Sequence, residues 1–539
     1  MNKTELAGKI KLLEGLTEDE KSALLGLLHE QKKYGLVWED KPEDVEQKLE
    51  DELPVLKEVK ERAIISDDPS APNHILIEGD NLHALTALTY THQGKIDVIY
   101  IDPPYNTGNK DFKYNDNFVD KEDEYRHSKW LSFMSKRLEI SKQLLSEKGV
   151  IFISIDDNEQ SALKLLCDEI FGEDNSIGPI IQNKQNAKND TINVQKNHEF
   201  ILCYRKKARY ADDSKATLLP NIILKRKIKK PVIQDENGDF FYLNDAITTR
   251  GDGGTLNARS NLGYSIYYHP TSKKFIPVID YDIEKAKFCN DESEVYITDS
   301  KLCDQGYIVI RPPKVRGRLG SWTWDINKFN KDSKNIYIKS TKKGYSVIKR
   351  TFVDPNKVTL INDSFFYEEI IYSNSRSIID FSTNDGTTKF KEIMGNDITF
   401  NNPKNVDMLY YLVNISSEIN SIILDFFAGS GTTLHATLEL NKDGGRRQCI
   451  LVTNNENNIC EEVTYMRSKK VIQGYKTPKG KEVEGLKNNN LRYYLTNFVP
   501  REQTNKNKRA LMAAATDLLC IKNNVYTEQN TFGGRKLKP

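Results

Sequence analysis

Residues 96–105 read IDVIYIDPPY, a sequence from which the class of fold can be predicted. Its first six residues form a largely apolar run, and Asp102-Pro103-Pro104-Tyr105 follows directly. Such a run ending in a proline turn predicts a buried strand with a loop at its carboxyl end, where open α/β sheets carry ligands. Similar runs occur before and after it, each followed by a stretch of helical periodicity. This alternation predicts an α/β fold with a doubly wound sheet.

The alternation also predicts the domain organisation. Residues 1–65 have helical spacing, and we expect a small helical N-terminal segment. The α/β pattern runs through residues 66–205, fails over 206–395, and returns over 396–475. We therefore expect one sheet in two halves, interrupted by a separate inserted domain and followed by a tail over 476–539.

Composition excludes several classes of protein. Hydrophobic residues make up 38% of the 539 residues, which suits a globular chain, and no apolar run approaches the roughly 18 residues of a membrane span. The start of the chain lacks a signal-peptide pattern, so we expect a cytoplasmic protein with no membrane partner. The seven cysteines form no C-x-x-C pair, and none follows a proline. This pattern argues against a zinc site and against the Pro-Cys nucleophile of enzymes that methylate carbon 5 of cytosine.

The turn at 102–105 suits the methylation of an exocyclic amine. The nitrogen lone pair of such an amine is delocalised into the base ring, so the amine is a poor nucleophile until hydrogen-bond acceptors draw on its N–H groups. The Asp102 carboxylate and the Pro103 carbonyl can be those acceptors, and two successive prolines, Pro103 and Pro104, hold them in place. Tyr105 can stack on an extruded base. We predict that these four residues form the catalytic loop.

A second turn, LDFFAGSGTT at 424–433, runs from a predicted strand into a predicted helix. Glycines at 429 and 431 would let the backbone approach a cofactor closely, and Glu456 follows the next strand, where such folds place a carboxylate on a ribose. Alone this turn is weak evidence. Together with the 102–105 turn it predicts the two halves of one active site.

With both turns in this order, the sequence resembles the modification subunits of type III restriction–modification systems. These proteins are β-class amino-methyltransferases, in which the catalytic motif precedes the cofactor motif. The resemblance implies S-adenosylmethionine as methyl donor, the N6 amine of adenine as acceptor, and an inserted target-recognition domain. It implies contacts to the donor from Phe427, Gly429 and Gly431, with Asp425, Ala428, Thr432 and Glu456 close by, and Asp80 and Lys404 as weaker candidates. The resemblance rests on these stretches: 77–82, 102–109, 126–131, 153–159, 402–404, 427–431 and 490–494.

The inserted region contains a basic segment. Residues 301–350 carry 13 Lys and Arg against three Asp, interleaved with aromatic residues, although the whole chain is nearly neutral at 78 basic against 77 acidic residues. This composition suits DNA contact, whereas a solvated protein surface could carry similar charges. The segment falls where the family recognises DNA, so we predict DNA contacts from Arg311, Lys314, Arg316, Arg318, Trp322, Trp324, Lys342 and Lys343.

Two alternatives remain open at the level of sequence. The same acceptor geometry serves the N4 amine of cytosine, and only the family resemblance favours adenine. The chain could instead act mainly as a DNA-recognition subunit for a separate endonuclease, with impaired methylation. The resemblance implies double-stranded DNA, a second copy of the chain and a separate restriction subunit as partners. Because the sequence contains no G-x-x-x-x-G-K-[ST] phosphate loop, any ATP-dependent step must come from that separate subunit. The resemblance implies that relatives continue past a point like Leu518–Ile521 and build part of their dimer in such tails. For the tail of this chain, truncation, divergence and loss of assembly are all open. The predicted reaction needs no metal.

Overall fold

The computed structural model describes residues 43–527 except 110, 116, 186–193, 211–217, 250, 343 and 399, together with 15, 21, 38, 41, 531, 532, 535 and 536. The chain divides into two compact units. Lys225–Tyr372 forms one, here called the inserted unit, and the described residues on either side of it form the other, here called the sheet unit.

The sheet unit is built on one ten-stranded sheet with the order β1-β10-β2-β9-β8-β3-β4-β6-β5-β7. Six neighbouring strands, from β10 to β4 in this order, are parallel to one another. On either side of this parallel group, β1 pairs antiparallel with β10, and β6 pairs antiparallel with β4. The predicted α/β fold is confirmed. The strands are β1 (Glu52–Glu58), β2 (Asn73–Glu78), β3 (Ile96–Ile101), β4 (Leu145–Ile155), β5 (Ile180–Asn183), β6 (His198–Arg205), β7 (Ile378–Asp380), β8 (Ile422–Asp425), β9 (Gln448–Thr453) and β10 (Asn490–Pro500).

Helices cover both faces of this sheet. Successive side chains of a strand point to opposite faces, so Ile75 and Ile77 belong to one buried cluster and Leu76 to the other. Both clusters are almost completely buried, which explains why the strands are apolar without alternation. The first face carries α2 (Asn81–His92), α3 (Arg126–Leu144), α4 (Gln160–Phe171) and α9 (Asn505–Asn523), and the second carries α5 (Thr383–Met394), α6 (Val406–Ser416), α7 (Thr432–Leu440) and α8 (Met466–Gln473).

The predicted helical segment at 1–65 lies mostly outside the described residues. Within its described part, α1 (Asp44–Asp51) is helical, but Glu52–Glu58 is β1, which pairs antiparallel with β10 at the edge of the sheet. The sequence predicted a helical segment that Pro54 closes; the described helix ends at Asp51, and a strand that contains Pro54 follows it. The reason is that Val55 and Leu56 bury their side chains against the sheet, and this packing outweighs local propensity.

The inserted unit is more regular than its composition indicates. It contains a four-stranded and two three-stranded sheets, with a core that includes Tyr264, Ile266, Trp322 and Phe329. Its limits lie inside the predicted 206–395, because residues after 372 supply β7 and α5 of the sheet unit. Its strands are Leu224–Pro231, Ile233–Gln234, Phe240–Ala246, Ser265–Tyr268, Phe275–Val278, Ile308–Ile310, Ile336–Thr341, Gly344–Phe352, Val358–Ile361 and Ser364–Ser373, and its helices of four to six residues are Glu292–Val295, Ser300–Asp304 and Ile326–Lys331.

Short elements complete the described structure. Four two-stranded pairs lie outside the larger sheets, and a π-helical segment, Ile459–Tyr465, precedes α8. No helix among the described residues is long and apolar enough to cross a membrane. The pairs are Lys113–Tyr114 with Asn117–Phe118, Arg209–Tyr210 with Leu218–Leu219, Gly474–Lys476 with Glu482–Glu484, and Thr531–Phe532 with Arg535–Lys536.

Candidate functional site

The two predicted turns lie side by side at the carboxyl edge of the sheet. β3 and β8 are parallel neighbours, with Val98 opposite Ile423 and Ile99 opposite Leu424. The strands that follow them along the chain, β4 and β9, lie on opposite sides of this pair, so the direction of winding reverses between β3 and β8. A reversal of this kind opens a crevice at the carboxyl ends of the two strands. The sheet therefore brings the 102–105 and 425–433 turns to one crevice.

The 102–105 turn is held by hydrogen bonds to two buried side chains. The carbonyl of Pro104 accepts a 2.8 Å hydrogen bond from Nε1 of the buried Trp130, on α3. Asn106, which follows the turn with a φ of 56°, donates from Nδ2 to Oε1 of the buried Glu159 over 2.6 Å. The two prolines and these bonds fix the backbone before any substrate arrives.

A polar cluster surrounds the carboxylate of Asp102. The ammonium of Lys404 lies 3.1 Å from Asp102 Oδ1, 2.7 Å from Tyr105 Oη and 2.9 Å from Glu199 Oε2. The Tyr105 hydroxyl is also 3.0 Å from Asp102 Oδ1 and 3.1 Å from Glu199 Oε2, so its one proton can be donated to either carboxylate. The other oxygen of Glu199 lies 3.0 Å from Nζ of Lys184. The cluster thus contains two carboxylates and two ammonium groups.

Burial and neighbouring charge determine which of these groups are ionised. Burial raises the pKa of Asp102, the charge of Lys404 opposes this rise, and Glu199 adds to it. Burial also favours neutral Glu199, but the charges of Lys404 and Lys184 outweigh this effect and lower the pKa of Glu199 to about 2. Burial alone would lower the pKa of Lys404, whereas Asp102, Tyr105 and Glu199 hold it well above its usual value. Glu199 and Lys404 are therefore a charged pair at neutral pH.

The second turn is shaped by glycine and by a buried acid. Gly429 and Gly431 have φ angles of 48° and 73°, a region that side-chain-bearing residues rarely adopt. The Asp425 carboxylate accepts bonds from the Phe427 amide, at 3.0 Å, and from the Thr433 hydroxyl. Burial raises the pKa of Asp425 to about 7, against the effect of these two bonds.

Both turns line one cavity, and its residues fit an adenosyl cofactor. A methyl group on Gly429 would lie 3.2 Å from the Phe400 ring, so the space beside that ring depends on the glycine. Phe400 and Phe427 offer aromatic faces for a purine, and Asp102 and Asp425 offer carboxylates to hydroxyl or cationic groups. The cavity is lined by Tyr100, Asp102, Phe400, Asn402, Lys404, Leu409, Asp425, Phe427, Ala428, Gly429, Ser430, Thr432 and Thr433.

Some predicted site residues lie beside this cavity rather than in its lining. Gly431 is the N-cap of α7, and a Cβ on it would face Thr464 at 3.3 Å. Asp80 caps α2 by accepting from the Leu82 amide at 2.8 Å, and Glu456 pairs with Lys113 at 2.8 Å. Asp80 and Glu456 are at the carboxyl ends of β2 and β9, on the same edge of the sheet.

Glu199 and Phe400 are among the residues at the 102–105 turn or the cavity that sequence reasoning missed. Glu199 lies in β6, and no motif surrounds it. Phe400 lies two residues before the recognised 402–404 stretch, which was the only available indication that this segment reaches the site. Neither residue could be assigned without knowing which strands are neighbours.

The predicted DNA-contact residues of the inserted unit differ in their exposure. Trp322 is 1% exposed, donates from Nε1 to the Tyr264 carbonyl at 2.7 Å, and belongs to the core of the unit. This buried position has no face open for stacking on a base. Arg311 is partly buried and pairs with Glu292 at 2.8 Å. Lys314, Arg316, Arg318 and Lys342 are exposed, Trp324 is partly buried, and Lys343 lies outside the described residues.

Comparison with known families agrees with this geometry. A family model described as DNA methylase matches residues 96–465, a region that contains both turns. The chain belongs to the DNA methylase family.

Individual known proteins align with most of the chain. The EcoPI Mod subunit of a type III restriction–modification enzyme, from Escherichia phage P1, is 32% identical over 71% of this chain and 58% of its own length. The type II methyltransferase M.KpnI of Klebsiella pneumoniae is 32% identical over 70% of this chain and 79% of its own length. The EcoP15I Mod subunit of Escherichia coli is 28% identical over 75% of this chain and 61% of its own length. The chain thus spans little more than half the length of the type III Mod subunits that it matches.

Proposed function

We propose that this chain is a site-specific DNA methyltransferase that transfers a methyl group from S-adenosylmethionine to the N6 amine of adenine in duplex DNA. The observation that carries the proposal is the position of Asp102 and the Gly429 turn in the lining of one cavity, at the carboxyl ends of adjacent strands. The match to the DNA methylase family and the similarity to Mod subunits support it.

The residues of the chain act on the target amine. Tyr105 and Lys404 both donate to Oδ1 of Asp102. Within the described residues, Oδ2 is therefore left to accept a hydrogen bond from an N–H of the target amine. The Pro103 carbonyl is the second acceptor, and the Tyr105 ring, whose hydroxyl is fixed by the polar cluster, is the stacking surface for the extruded base. S-adenosylmethionine, when bound, supplies an electrophilic methyl group on sulfur. In the transfer the N–CH₃ bond would form as the S–CH₃ bond breaks, the sulfur would leave as the thioether of S-adenosylhomocysteine, and the proton lost by the amine would pass through Asp102 Oδ2 to solvent.

We further propose that the protein is the modification and recognition subunit of a type III system. In this role it would bind duplex DNA through the inserted unit, associate with a second copy of itself, and direct a separate ATP-dependent restriction subunit. The support is the similarity to several Mod subunits, whereas M.KpnI, a type II enzyme, aligns over a larger share of its own length.

The test is product analysis. The purified chain is incubated with unmethylated DNA and S-adenosylmethionine carrying an isotopically labelled methyl group, the DNA is digested to nucleosides, and the products are identified by mass spectrometry. We expect labelled N6-methyladenine from the wild type. Asp102→Ala removes one of the two acceptors, and we expect at least about a 100-fold loss of methylation, with little change in cofactor binding.

Each other outcome has a defined meaning. Labelled N4-methylcytosine would keep the mechanism and replace the base. Specific DNA binding without any methylated nucleoside would favour a recognition subunit. Full turnover by Asp102→Ala would exclude the catalytic loop proposed here.

A further inference from the structure

The ammonium of Lys404 has no proton left for another partner. Its three acceptors, Asp102 Oδ1, Tyr105 Oη and Glu199 Oε2, lie between 2.7 and 3.1 Å away, and an ammonium group has three N–H bonds. The Lys404 side chain is only 12% exposed. The geometry therefore assigns Lys404 to the catalytic carboxylate, although the resemblance suggested a contact with the cofactor.

Glu199 is the residue that holds Lys404 in this position. Its side chain is 10% exposed, and its two oxygens are divided between the inner ammonium of Lys404 at 2.9 Å and the outer ammonium of Lys184 at 3.0 Å. Glu199 is also one of the two carboxylates, with Asp102, that can accept the hydrogen bond of the Tyr105 hydroxyl, which lies 3.1 Å from Glu199 Oε2. A buried carboxylate with both oxygens bonded to cations is a well-fixed anchor.

We propose that Glu199 is a positioning residue for the methyl-transfer site: it shares the charge of Lys404 with Asp102 and, with Lys404, fixes the Tyr105 hydroxyl. Without Glu199, Lys404 would pair with Asp102 alone and weaken it as an acceptor for the target amine. Without Lys404, two carboxylates would face each other across Tyr105 with no cation between them. This inference rests on the proposed function, because Asp102 has this role only if the chain methylates an amine.

The charge sharing has a measurable sign. The groups that face Asp102 are Tyr100 and Tyr105 from its own segment, Lys404 from the stretch before α6, Glu199 from β6 and Asp425 from β8. Among these, the Glu199 charge raises the pKa of Asp102 and the Lys404 charge lowers it. Removal of the Glu199 charge must therefore lower the pKa of Asp102, and removal of the Lys404 charge must raise it.

The first readout is the pH dependence of kcat/KM, which reports groups of the free enzyme. We expect the acidic limb of Glu199→Gln to shift down by about one pH unit and that of Lys404→Gln to shift up by a similar amount, an interaction typical of charges a few ångströms apart. For Glu199→Gln we also expect kcat to fall about tenfold, while KM for S-adenosylmethionine stays within about twofold. Lys184→Gln, which removes only the outer cation, should shift the limb up by less.

The second readout needs no methylation activity. The proteins are treated with acetic anhydride at pH 8, and the rate of Lys404 acetylation is followed by peptide mass spectrometry. Loss of Glu199 removes one of the two carboxylates that keep Lys404 protonated, so we expect Lys404 to react several-fold faster in Glu199→Gln than in the wild type. Lys148, which is 42% exposed, is the internal standard. Glu236→Gln, which removes the exposed partner of Lys273 and leaves the Lys148 pair intact, is the control variant and should leave the Lys404 rate unchanged.

These outcomes separate the two proposals. If the wild type methylates DNA but the two limbs shift in the same direction, or Lys404→Gln raises KM for the cofactor with kcat unchanged, the positioning role is refuted and the function stands. If the wild type does not methylate, the function fails, and an unchanged acetylation rate of Lys404 in Glu199→Gln would refute the charge sharing as well. Thermal melting of each variant checks folding, and Lys184→Gln with its partly exposed side chain provides the test if Glu199→Gln does not fold.

Discussion

Gly386 links the stability of the sheet unit to its candidate site. This glycine lies in α5, where a Cβ would be 2.1 Å from the Pro403 carbonyl oxygen and 2.9 Å from the carbonyl carbon and oxygen of Lys404. These are backbone atoms and cannot move as a flexible side chain does. Gly386→Ala therefore forces α5 and the segment that carries Lys404 apart by about 1 Å or more, up to ordinary van der Waals contact.

Two effects of opposite sign decide the change in stability. Alanine is favoured over glycine inside a helix by about 1 kcal/mol. Overpacking in a buried contact costs about 1–3 kcal/mol, and a clash with two consecutive backbone carbonyls belongs at the upper end of that range. We expect a net loss of about 1–2 kcal/mol in the free energy of unfolding.

The effect on activity should be larger than the effect on stability. The three bonds of the Lys404 ammonium span 2.7 to 3.1 Å, and a shift of about 1 Å in its backbone would break or lengthen them. A displacement of this size can cost on the order of 100-fold in rate. We expect the single-turnover methylation rate of Gly386→Ala to fall about 10- to 100-fold, with DNA affinity unchanged.

The assay pairs urea unfolding with single-turnover methylation of labelled DNA under conditions in which the variant is fully folded. Asn384→Ala, an exposed position in the same helix, is the matched control and should gain stability slightly without loss of rate. If Gly386→Ala were as stable as Asn384→Ala and fully active, the close approach of α5 to Pro403 and Lys404 would not control the site.

Two further predictions concern the buried tryptophan and the buried acid. Trp322→Ala should destabilise the inserted unit by about 3–5 kcal/mol, because a fully buried indole is removed. Trp322→Phe should retain DNA affinity, measured by fluorescence anisotropy. A loss of affinity in a folded Trp322→Phe protein would indicate that Trp322 contacts DNA directly. Because burial raises the pKa of Asp425 to about 7, above its unfolded value, the folded protein favours the protonated acid, and this contribution to stability is lost as pH rises from about 4 to about 7. Asp425→Asn should therefore gain stability relative to the wild type over that interval, by up to about 4 kcal/mol in urea unfolding of the cofactor-free protein, and a pH-independent difference would mean that Asp425 is already ionised.

The central strands and helices of the sheet unit could be predicted from sequence because local and global preferences agree there. The apolar run at 96–101 is β3 without a shift of either end, and the helical pattern at 160–171 is α4. Each such strand is buried on both faces, so its sequence is apolar for one physical reason only. The strand at 52–58 differs because only its neighbour β10, more than 400 residues away, makes it a strand.

The cluster around Asp102 could be predicted only in part. Asp102 and Tyr105 are in a short motif whose chemistry is readable from the residues themselves. Glu199 is an ordinary acidic residue in a strand, and its role depends on β6 pairing antiparallel with β4, next to β3. Trp322 illustrates the converse difficulty, since this aromatic residue lies among basic ones in the sequence, as a DNA contact would, but is buried as a core residue is.

The order of elements explains how a site can keep its geometry while a large insertion interrupts the chain. Glu199 precedes the inserted unit and Lys404 follows it, yet they form one ion pair inside the sheet unit. The chain leaves and re-enters through Leu224–Pro231 and Ser364–Ser373, which are neighbouring strands of one small sheet. The ends of the insertion are therefore held together, and its length adds little to the entropy of closing the site, because that cost grows only with the logarithm of loop length. The Glu199–Lys404 pair, which joins the segments on either side of the insertion, therefore depends on two short segments of the sheet unit, the strand β6 and the stretch before α6.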